Sequence, residues 1–425
     1  RGLGDVYKRQ AHAMTLFHII AILLTASAVF SYINHRFLKL PTTIGIMLVA
    51  LCFSLLLNVL GPLGVEIEHE VEVMLEGIEF DDTLLHGMLS FLLFAGALHV
   101  DLSELAKQRG VIFTLATASV IGATFIIGTL CWYVFALVGL DIPYFYCLLF
   151  GALISPTDPI AVLGILKQAD APKSLEAKIT GESLFNDGMA VVVFLVLVRL
   201  ASGEGDMSAG DILLLFAQEA IGGVLFGLGA GTLTYWMLKS VDNYQVEVLL
   251  TLALVTGGYA MAEALHLSAP IAIVCAGLLI GNHGRTMAMS AHTREHLDTF
   301  WELVDEVLNA VLFVLIGLEV LMLVFVGEYL LAGIMAIPIV LLARFITVGI
   351  PITVMRRFRS FSPRAIQILT WGGLRGGISV ALALSLPASE TRDALVVVTY
   401  IVVIFSILVQ GLTIGPLVRA STRVN

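Results

Sequence analysis

The sequence predicts an all-α polytopic membrane protein with about thirteen transmembrane helices, and its composition is the first reason. Of its 425 residues, 58% are hydrophobic and only 13% are charged, which exceeds the apolar share of soluble globular proteins. The apolar residues form long runs, and about 20 such residues cross the hydrocarbon as a helix. Because these runs lack the alternation of roughly ten-residue membrane β-strands, they predict helices and not a barrel.

Thirteen apolar segments cover nearly the whole chain. Their approximate limits are 13 to 33, 41 to 60, 84 to 100, 111 to 139, 144 to 166, 180 to 200, 210 to 237, 246 to 265, 268 to 282, 298 to 324, 327 to 354, 364 to 386 and 393 to 418.

With an odd number of spans, the termini lie on opposite sides of the membrane. If the C-terminus is inside, the outer loops between spans hold only Arg199 and Arg392 as basic residues, as the positive-inside rule requires. We therefore expect a plasma-membrane protein with a cytoplasmic C-terminus and an outer N-terminus.

Residues 1–12 are predicted to be an N-terminal tail outside the fold. Arg1, Lys8 and Arg9 would lie on the outer side, and the segment has neither the apolar core nor the cleavage pattern of a signal peptide. It could be foreign to the natural gene product. Residues 13–425 then form a single transmembrane domain. The four cysteines lie in apolar runs without metal-ligand spacing, and we expect no cofactor and no nucleic-acid partner.

The fifth predicted span contains the polar motif Ser155-Pro156-Thr157-Asp158-Pro159. Each proline removes a backbone donor and crowds the preceding turn, so the two predict an interrupted helix near Thr157 and Asp158. Non-helical backbone at membrane depth is tolerated only where protein or a wet cavity surrounds it, and the freed carbonyls can then bind ions. A proline kink without any ligand role is the alternative interpretation.

The sixth predicted span carries four polar side chains on one flank. Glu182 and Asn186 are four residues apart, as are Ser183 and Asp187, so the pairs form two adjoining strips of one helix. A carboxylate in the bilayer costs a few kcal/mol or more and usually marks ion or proton movement. The pattern indicates the wall of a site, and polar contact between helices is the alternative.

The eleventh and twelfth predicted spans also depart from a plain apolar helix. Arg344 lies midway along the eleventh and needs an acidic partner from another helix unless its side chain reaches an interface. The twelfth begins with the glycine-rich segment 371–377, which carries Arg375 and predicts a second interruption. It lacks the Gly-x-x-x-x-Gly-Lys pattern of a phosphate loop.

The two predicted interruptions lie seven spans apart. They occupy corresponding positions if spans 1 to 6 and 8 to 13 are two repeats, and an odd offset makes the repeats inverted in the membrane. Interrupted helices at matching positions are the best sequence indication of a transporter's midplane site. The fold class predicted is therefore two inverted repeats of six helices with discontinuous helices 5 and 12.

Four segments carry a resemblance to a known family. They are SPTDPIAVLGIL from residue 155, GESLFNDGMAVVV from 181, FWELVDEVLNAVLFVLIGLE at 300 to 319 and WGGLRGGISVALAL from 371. In this order and spacing they resemble the monovalent cation/proton antiporters, specifically the prokaryotic sodium/proton members of the electroneutral, Asn-Asp type. The similarity covers the chain from about residue 13.

The resemblance implies a homodimer in which a core bundle, including spans 5, 6, 11 and 12, moves against a dimerisation domain. Asp187 resembles the essential carboxylate that takes either the metal cation or the proton. Asn186 stands where electrogenic relatives carry a second aspartate, and it counts among the predicted ion- or proton-binding residues. Thr157, Asp158 and Ser183 resemble ligands or supports at the helix crossing and complete the transient sodium site.

Three further expectations follow from the same resemblance. Glu182 is similar to the residue that pairs with the arginine at Arg344, and Arg375 matches a structural arginine of the broken twelfth helix. Some members add a carboxylate from the third span, whereas residues 90–98 here carry none. This departure leaves the full ligand set open.

A charge count agrees with exchange at one carboxylate. Asp158, Glu182 and Asp187 against Arg344 and Arg375 leave one net negative charge, which one sodium ion or one proton neutralises. Because an uncompensated charge is disfavoured in a low dielectric, we expect electroneutral antiport of sodium, and also lithium, against protons by alternating access, with a role in pH and sodium homeostasis.

Potassium/proton antiport remains the alternative. A cation channel is less favoured because no filter-like segment recurs. An intramembrane protease would need motifs such as Gly-x-Gly-Asp or His-Glu-x-x-His that the chain lacks, so we expect a transporter and not an enzyme.

Overall fold

The computed structural model describes residues 16–60, 71, 75, 80–159, 162–164, 166, 172–201, 209–284, 289–323, 326–359, 361–362 and 364–422. Within these residues the regular elements are helices, and the extended backbone pairs only at an isolated bridge between Asp158 and Leu374. The predicted all-α class is confirmed. The predicted tail, 1–12, lies outside the described residues.

The helices follow the apolar runs of the sequence. In chain order they are α1 Leu16–Ile33, α2 Thr42–Leu60, α3 Leu89–Leu98, α4 Leu102–Ala116, α5 Ala118–Val138, α6 Tyr144–Leu153, α7 Lys173–Ala201, α8 Ala209–Lys239, α9 Tyr244–Ala264, α10 Ala269–Leu279, α11 Ala291–Leu318, α12 Gly327–Met355, α13 Ala365–Trp371, α14 Gly377–Leu384, α15 Glu390–Phe405 and α16 Gly411–Thr422. Over most of its described residues, each predicted span coincides with helix. Eight helical stretches of the described residues are long and apolar enough to cross a membrane, so the count of thirteen stays a prediction.

Two large clusters of buried apolar side chains hold the helices together. One contains Phe150 of α6 and Val398 of α15, and the other contains Phe94 of α3 and Trp301 of α11. Three helices contribute to both clusters: α4 through residues such as Leu115 and Leu105, α7 through residues such as Phe194 and Leu184, and α11 through its two halves. The polar side chains of α7 and α11 therefore lie near the boundary between two packed units.

Both predicted interruptions are present. Helix α6 ends at Leu153, residues 155–159 are not helical, and helix resumes at 162–164. Helix α13 ends at Trp371, and α14 begins at Gly377. The Asp158–Leu374 bridge between the two breaks is antiparallel, the relation expected where two interrupted helices run in opposite directions.

Candidate ion-binding site

The first break is stabilised by an arginine from the second. After Leu153 the chain continues into Pro156 and Pro159, which cannot donate to a helix, so carbonyl groups near the end of α6 lose their partners. The guanidinium of Arg375 satisfies them, since its Nη1 donates to Pro156 O at 2.9 Å and also to Ser155 O. A cation at the C-terminal end of a helix is also favoured by the helix dipole.

The second break receives a reciprocal contact from the first. The Asp158 N–H donates to Leu374 O at 2.8 Å, and the Asp158 carboxylate approaches the first turn of α14. A Cβ added to Gly376 would lie 2.6 Å from Asp158 Oδ2, so only glycine allows this approach. A carboxylate near a helix N-terminus is stabilised by the exposed N–H groups. Each break thus places a charge against the end of the other helix.

Helix α7 holds the unwound chain through two of its polar side chains. Asn186 Nδ2 donates to Thr157 Oγ1 at 2.8 Å, and Asn186 Oδ1 accepts from Thr157 N at 3.4 Å. Ser183 Oγ donates to Thr157 O. An amide suits this place because it donates to a hydroxyl and accepts from a backbone N–H at once. The register of α7 against the first break is fixed by these contacts.

A buried ion pair joins α7 to the second break. Arg344 Nη1 of α12 contacts Glu182 Oε1, and both side chains are almost fully buried. The same guanidinium donates to Leu369 O in the last turn of α13, through Nε at 3.3 Å and Nη2 at 3.2 Å. Buried charges of this kind persist only when paired and hydrogen-bonded, and this pair meets both conditions.

A cavity of about 1390 Å³ reaches the crossing of the two breaks. Thr157, Asp158, Ser183 and Asp187 line it. Asp158 is half-buried and Asp187 is 8% exposed. Among the described residues, no hydrogen bond or ion pair engages the Asp187 carboxylate. This group is therefore available to a mobile cation or proton.

The cavity is also lined by exposed residues at or beside helix ends on the side predicted to be cytoplasmic, including Lys39, Asp101 and Lys173, and these mark its mouth. The pKa of the Asp101 carboxyl is lowered, chiefly because the backbone N–H of Ser103 donates to it at 2.8 Å. Asp101 therefore carries a negative charge at neutral pH. Eight acidic residues and two lysines line the whole cavity, so its field attracts cations.

The structure separates the predicted site residues into two groups. Thr157, Asp158, Ser183 and Asp187 share the cavity wall, together with Pro156 and Pro159. The other predicted residues lie behind the wall and hold the breaks in place: Glu182, Asn186, Arg344 and Arg375. Oxygen atoms of the first group are ligands that a hard monovalent cation accepts.

Sequence reasoning missed two supports of the second break. Ser406 Oγ accepts from Arg375 N at 2.9 Å, and Gln410 Nε2 donates to Trp371 O at 2.9 Å. Both side chains are buried. Their spacing of four residues in an apolar span is the same signal that singled out α7. The cavity-lining residues Asp305 and Asn309 of α11 were also missed, although they lie within a segment that carries the resemblance.

An available carboxylate, placed where two interrupted antiparallel helices cross and reached by an acidic cavity, defines an ion-coupled secondary transporter. Comparison with known proteins identifies the family. Residues 23–420 match the family described as sodium/hydrogen exchanger, transmembrane, and the chain belongs to this family.

Relatives support this assignment over nearly the full length. The chain is 53% identical over 409 residues to the Na(+)/H(+) antiporter NhaP of Pseudomonas aeruginosa, covering 95% of this chain and 96% of that protein. It is 35% identical to the Na(+)/H(+) antiporter NhaH of Halobacillus dabanensis, covering 95% and 98%. It shares its fold with the sodium proton antiporter MjNhaP1 of Methanocaldococcus jannaschii, with a TM-score of 0.73, 19% identity and coverage of 96% and 99%.

Proposed function

We propose that the protein exchanges one sodium ion for one proton across the plasma membrane and that Asp187 binds both in turn. Sodium/proton antiport is the function of this chain, as the family and the named antiporters over its full length support. The observation that carries the site assignment is the position of Asp187. Its carboxylate is nearly buried, lines the cavity and is engaged by no partner among the described residues.

The surrounding charges support a one-for-one stoichiometry. Glu182 and Arg344 neutralise each other. Asp158 and Arg375 lie against opposite helix ends at the crossing and also sum to zero. Asp187 then holds the one uncompensated charge, which sodium or a proton neutralises. Since an uncompensated charge is costly in a low dielectric, the carrier reorients only when loaded.

Thr157 and Ser183 complete the sodium ligand set in this proposal, with Asp158 as a further oxygen donor. Asn186 acts through Thr157, because both polar atoms of its amide engage that residue. The moving part is the bundle of α6, α7, α12, α13 and α14, which the crossing contacts tie into one unit. The protein works as a homodimer in membrane lipid, with its C-terminus in the cytoplasm, and contributes to pH and sodium homeostasis.

The test is dequenching of an internal pH probe in proteoliposomes that hold an imposed proton gradient. Sodium, lithium and potassium are added in turn to the wild type and to Asp187→Asn. We expect sodium and lithium to dequench the wild-type signal. In Asp187→Asn the rate of this dequenching should fall at least a hundredfold. The signal should be unaffected when the membrane potential is collapsed. The apparent KM for sodium should rise as the pH falls, because protons compete for the same carboxylate.

Asp393→Asn is the matched control, since it makes the same isosteric change at a side chain that is 56% exposed. It should transport as the wild type does. If potassium alone dequenches the signal, then potassium and not sodium is the substrate. A current that persists without a proton gradient would indicate a channel, and full activity of Asp187→Asn would reject the site.

A further inference from the structure

Helix α11 presents a second row of polar side chains to the cavity. Glu302, Asp305, Glu306 and Asn309 all line it. Their spacing of three, one and three residues places them on one face of a helix. The row lies on a different helix from Asp187 and plays no part in the exchange site described above.

Burial increases along this row. Glu302 and Glu306 are exposed, Asp305 is half-buried, and Asn309 is 3% exposed. Among the described residues, nothing hydrogen-bonds to Asn309 Oδ1. A buried amide oxygen is normally satisfied, so this atom requires a partner that the described chain does not supply. The carboxylate of Asp305, one turn away, makes a cation the natural partner.

A second buried oxygen without a partner faces the same cavity from another helix. Ser379 Oγ of α14 is 1% exposed and no described group hydrogen-bonds to it. The start of α14 packs on α11 one turn beyond Asn309, because a Cβ added to Gly377 would lie 2.6 Å from Leu312 Cδ1. Two helices therefore direct unpartnered oxygens toward one region of the cavity.

We propose that Asp305 and Asn309, with Ser379, form a second binding site for a monovalent cation in the access cavity. This site binds sodium before it passes to Asp187, and the inference rests on the proposed function. Glu302 and Glu306 link it to the cavity mouth, so the ion stays partly hydrated there and exchanges with the aqueous phase. The stoichiometry at Asp187 is unchanged, because a cation at the access site does not cross with the carrier.

The first test is the sodium dependence of exchange in proteoliposomes. Asp305→Asn should raise the apparent KM for sodium about tenfold, which is the effect of losing one close charge, while kcat stays within about twofold. Asn309→Leu should raise KM in the same direction, because it removes the buried oxygen Asn309 Oδ1, to which no described group hydrogen-bonds. Glu295→Gln is the control, since Glu295 is exposed on the same helix and does not line the cavity.

The second test is equilibrium binding of ²²Na⁺ to purified protein, which needs no transport. Asp187→Asn should retain specific binding at reduced affinity, and Asp187→Asn/Asp305→Asn should lose it. If Asp187→Asn alone abolishes binding, or if both α11 variants keep the wild-type KM, the second site does not exist. Those results leave the proposed function intact, whereas a wild type without cation-dependent dequenching overturns that function itself.

Discussion

The two helix breaks interrupt the same kind of apolar helix by different chemistry. The first contains Pro156 and Pro159, and it offers Thr157 and Asp158 to the cavity. The second is built from glycines around Arg375, and its polar contacts are structural: the Arg375 guanidinium donates to Pro156 O, and the Arg375 backbone N–H donates to Ser406 Oγ. In the proposed function, the first break supplies ion ligands and the second supplies support.

The difference follows from what each residue type removes. Proline removes a backbone donor, which frees carbonyl groups and unwinds the chain even without close neighbours. Glycine removes a side chain, which lets other groups approach. At Gly373, an added Cβ would lie 2.7 Å from Arg344 Nε, so the second break is where the buried arginine fits. The comparison predicts that substitutions at the second break mainly lower stability. Substitutions that face the first break should mainly weaken ion binding.

The largest effect is expected for Arg344→Ala, which removes the arginine that ties the second break to α7. Glu182 would remain buried without its partner, and breaking a buried pair in this way costs about 3–5 kcal/mol. Thermal unfolding of the purified protein in detergent measures this loss. The double variant Glu182→Gln/Arg344→Met should recover part of the stability, because it leaves no uncompensated charge. An unchanged unfolding temperature for Arg344→Ala would show that the pair does not support the second break.

An intermediate effect is expected for Gly376→Ala. Its Cβ would meet Asp158 Oδ2 at 2.6 Å and push the carboxylate away from the start of α14. Overpacking of this kind costs about 1–3 kcal/mol, and we expect exchange to fall about tenfold or more. Gly164→Ala is the matched control near the first break, where an added Cβ meets nothing within 4 Å. Equal activities of the two variants in proteoliposomes would contradict the close approach.

The smallest effect is expected for Ser183→Ala, which removes one hydrogen bond to Thr157 O. The stability loss should be about 1 kcal/mol, with a rise of a fewfold in the apparent KM for sodium. Ser119→Ala makes the same change elsewhere, since Ser119 Oγ donates to Thr347 O at 2.6 Å between α5 and α12. It should lose similar stability with no change in KM. If both variants raise the apparent KM for sodium equally, Ser183 has no role specific to the ion.

Much of the site could be predicted from local pattern. The prolines predict the first break, the glycines predict the second, and four-residue spacing places Ser183 and Asp187 on one strip of α7. The roles of individual polar residues were harder to predict. Asn186 was predicted to bind the ion or proton, and this stays a prediction, although its amide oxygen and nitrogen both contact Thr157. Asp305 was not singled out, because only the packing of α11 makes it half-buried and places it on the cavity wall.

The sequence by itself determined the fold class, the helix positions and the two interruptions, because apolar run length and backbone stereochemistry are local properties. Only the tertiary structure decided which charges meet. Arg375 reaches Pro156 O across 219 residues of sequence, and Arg344 reaches Glu182 across 162. A buried charge is tolerated where the packing of distant helices supplies its partner, and no short stretch of sequence specifies that partner.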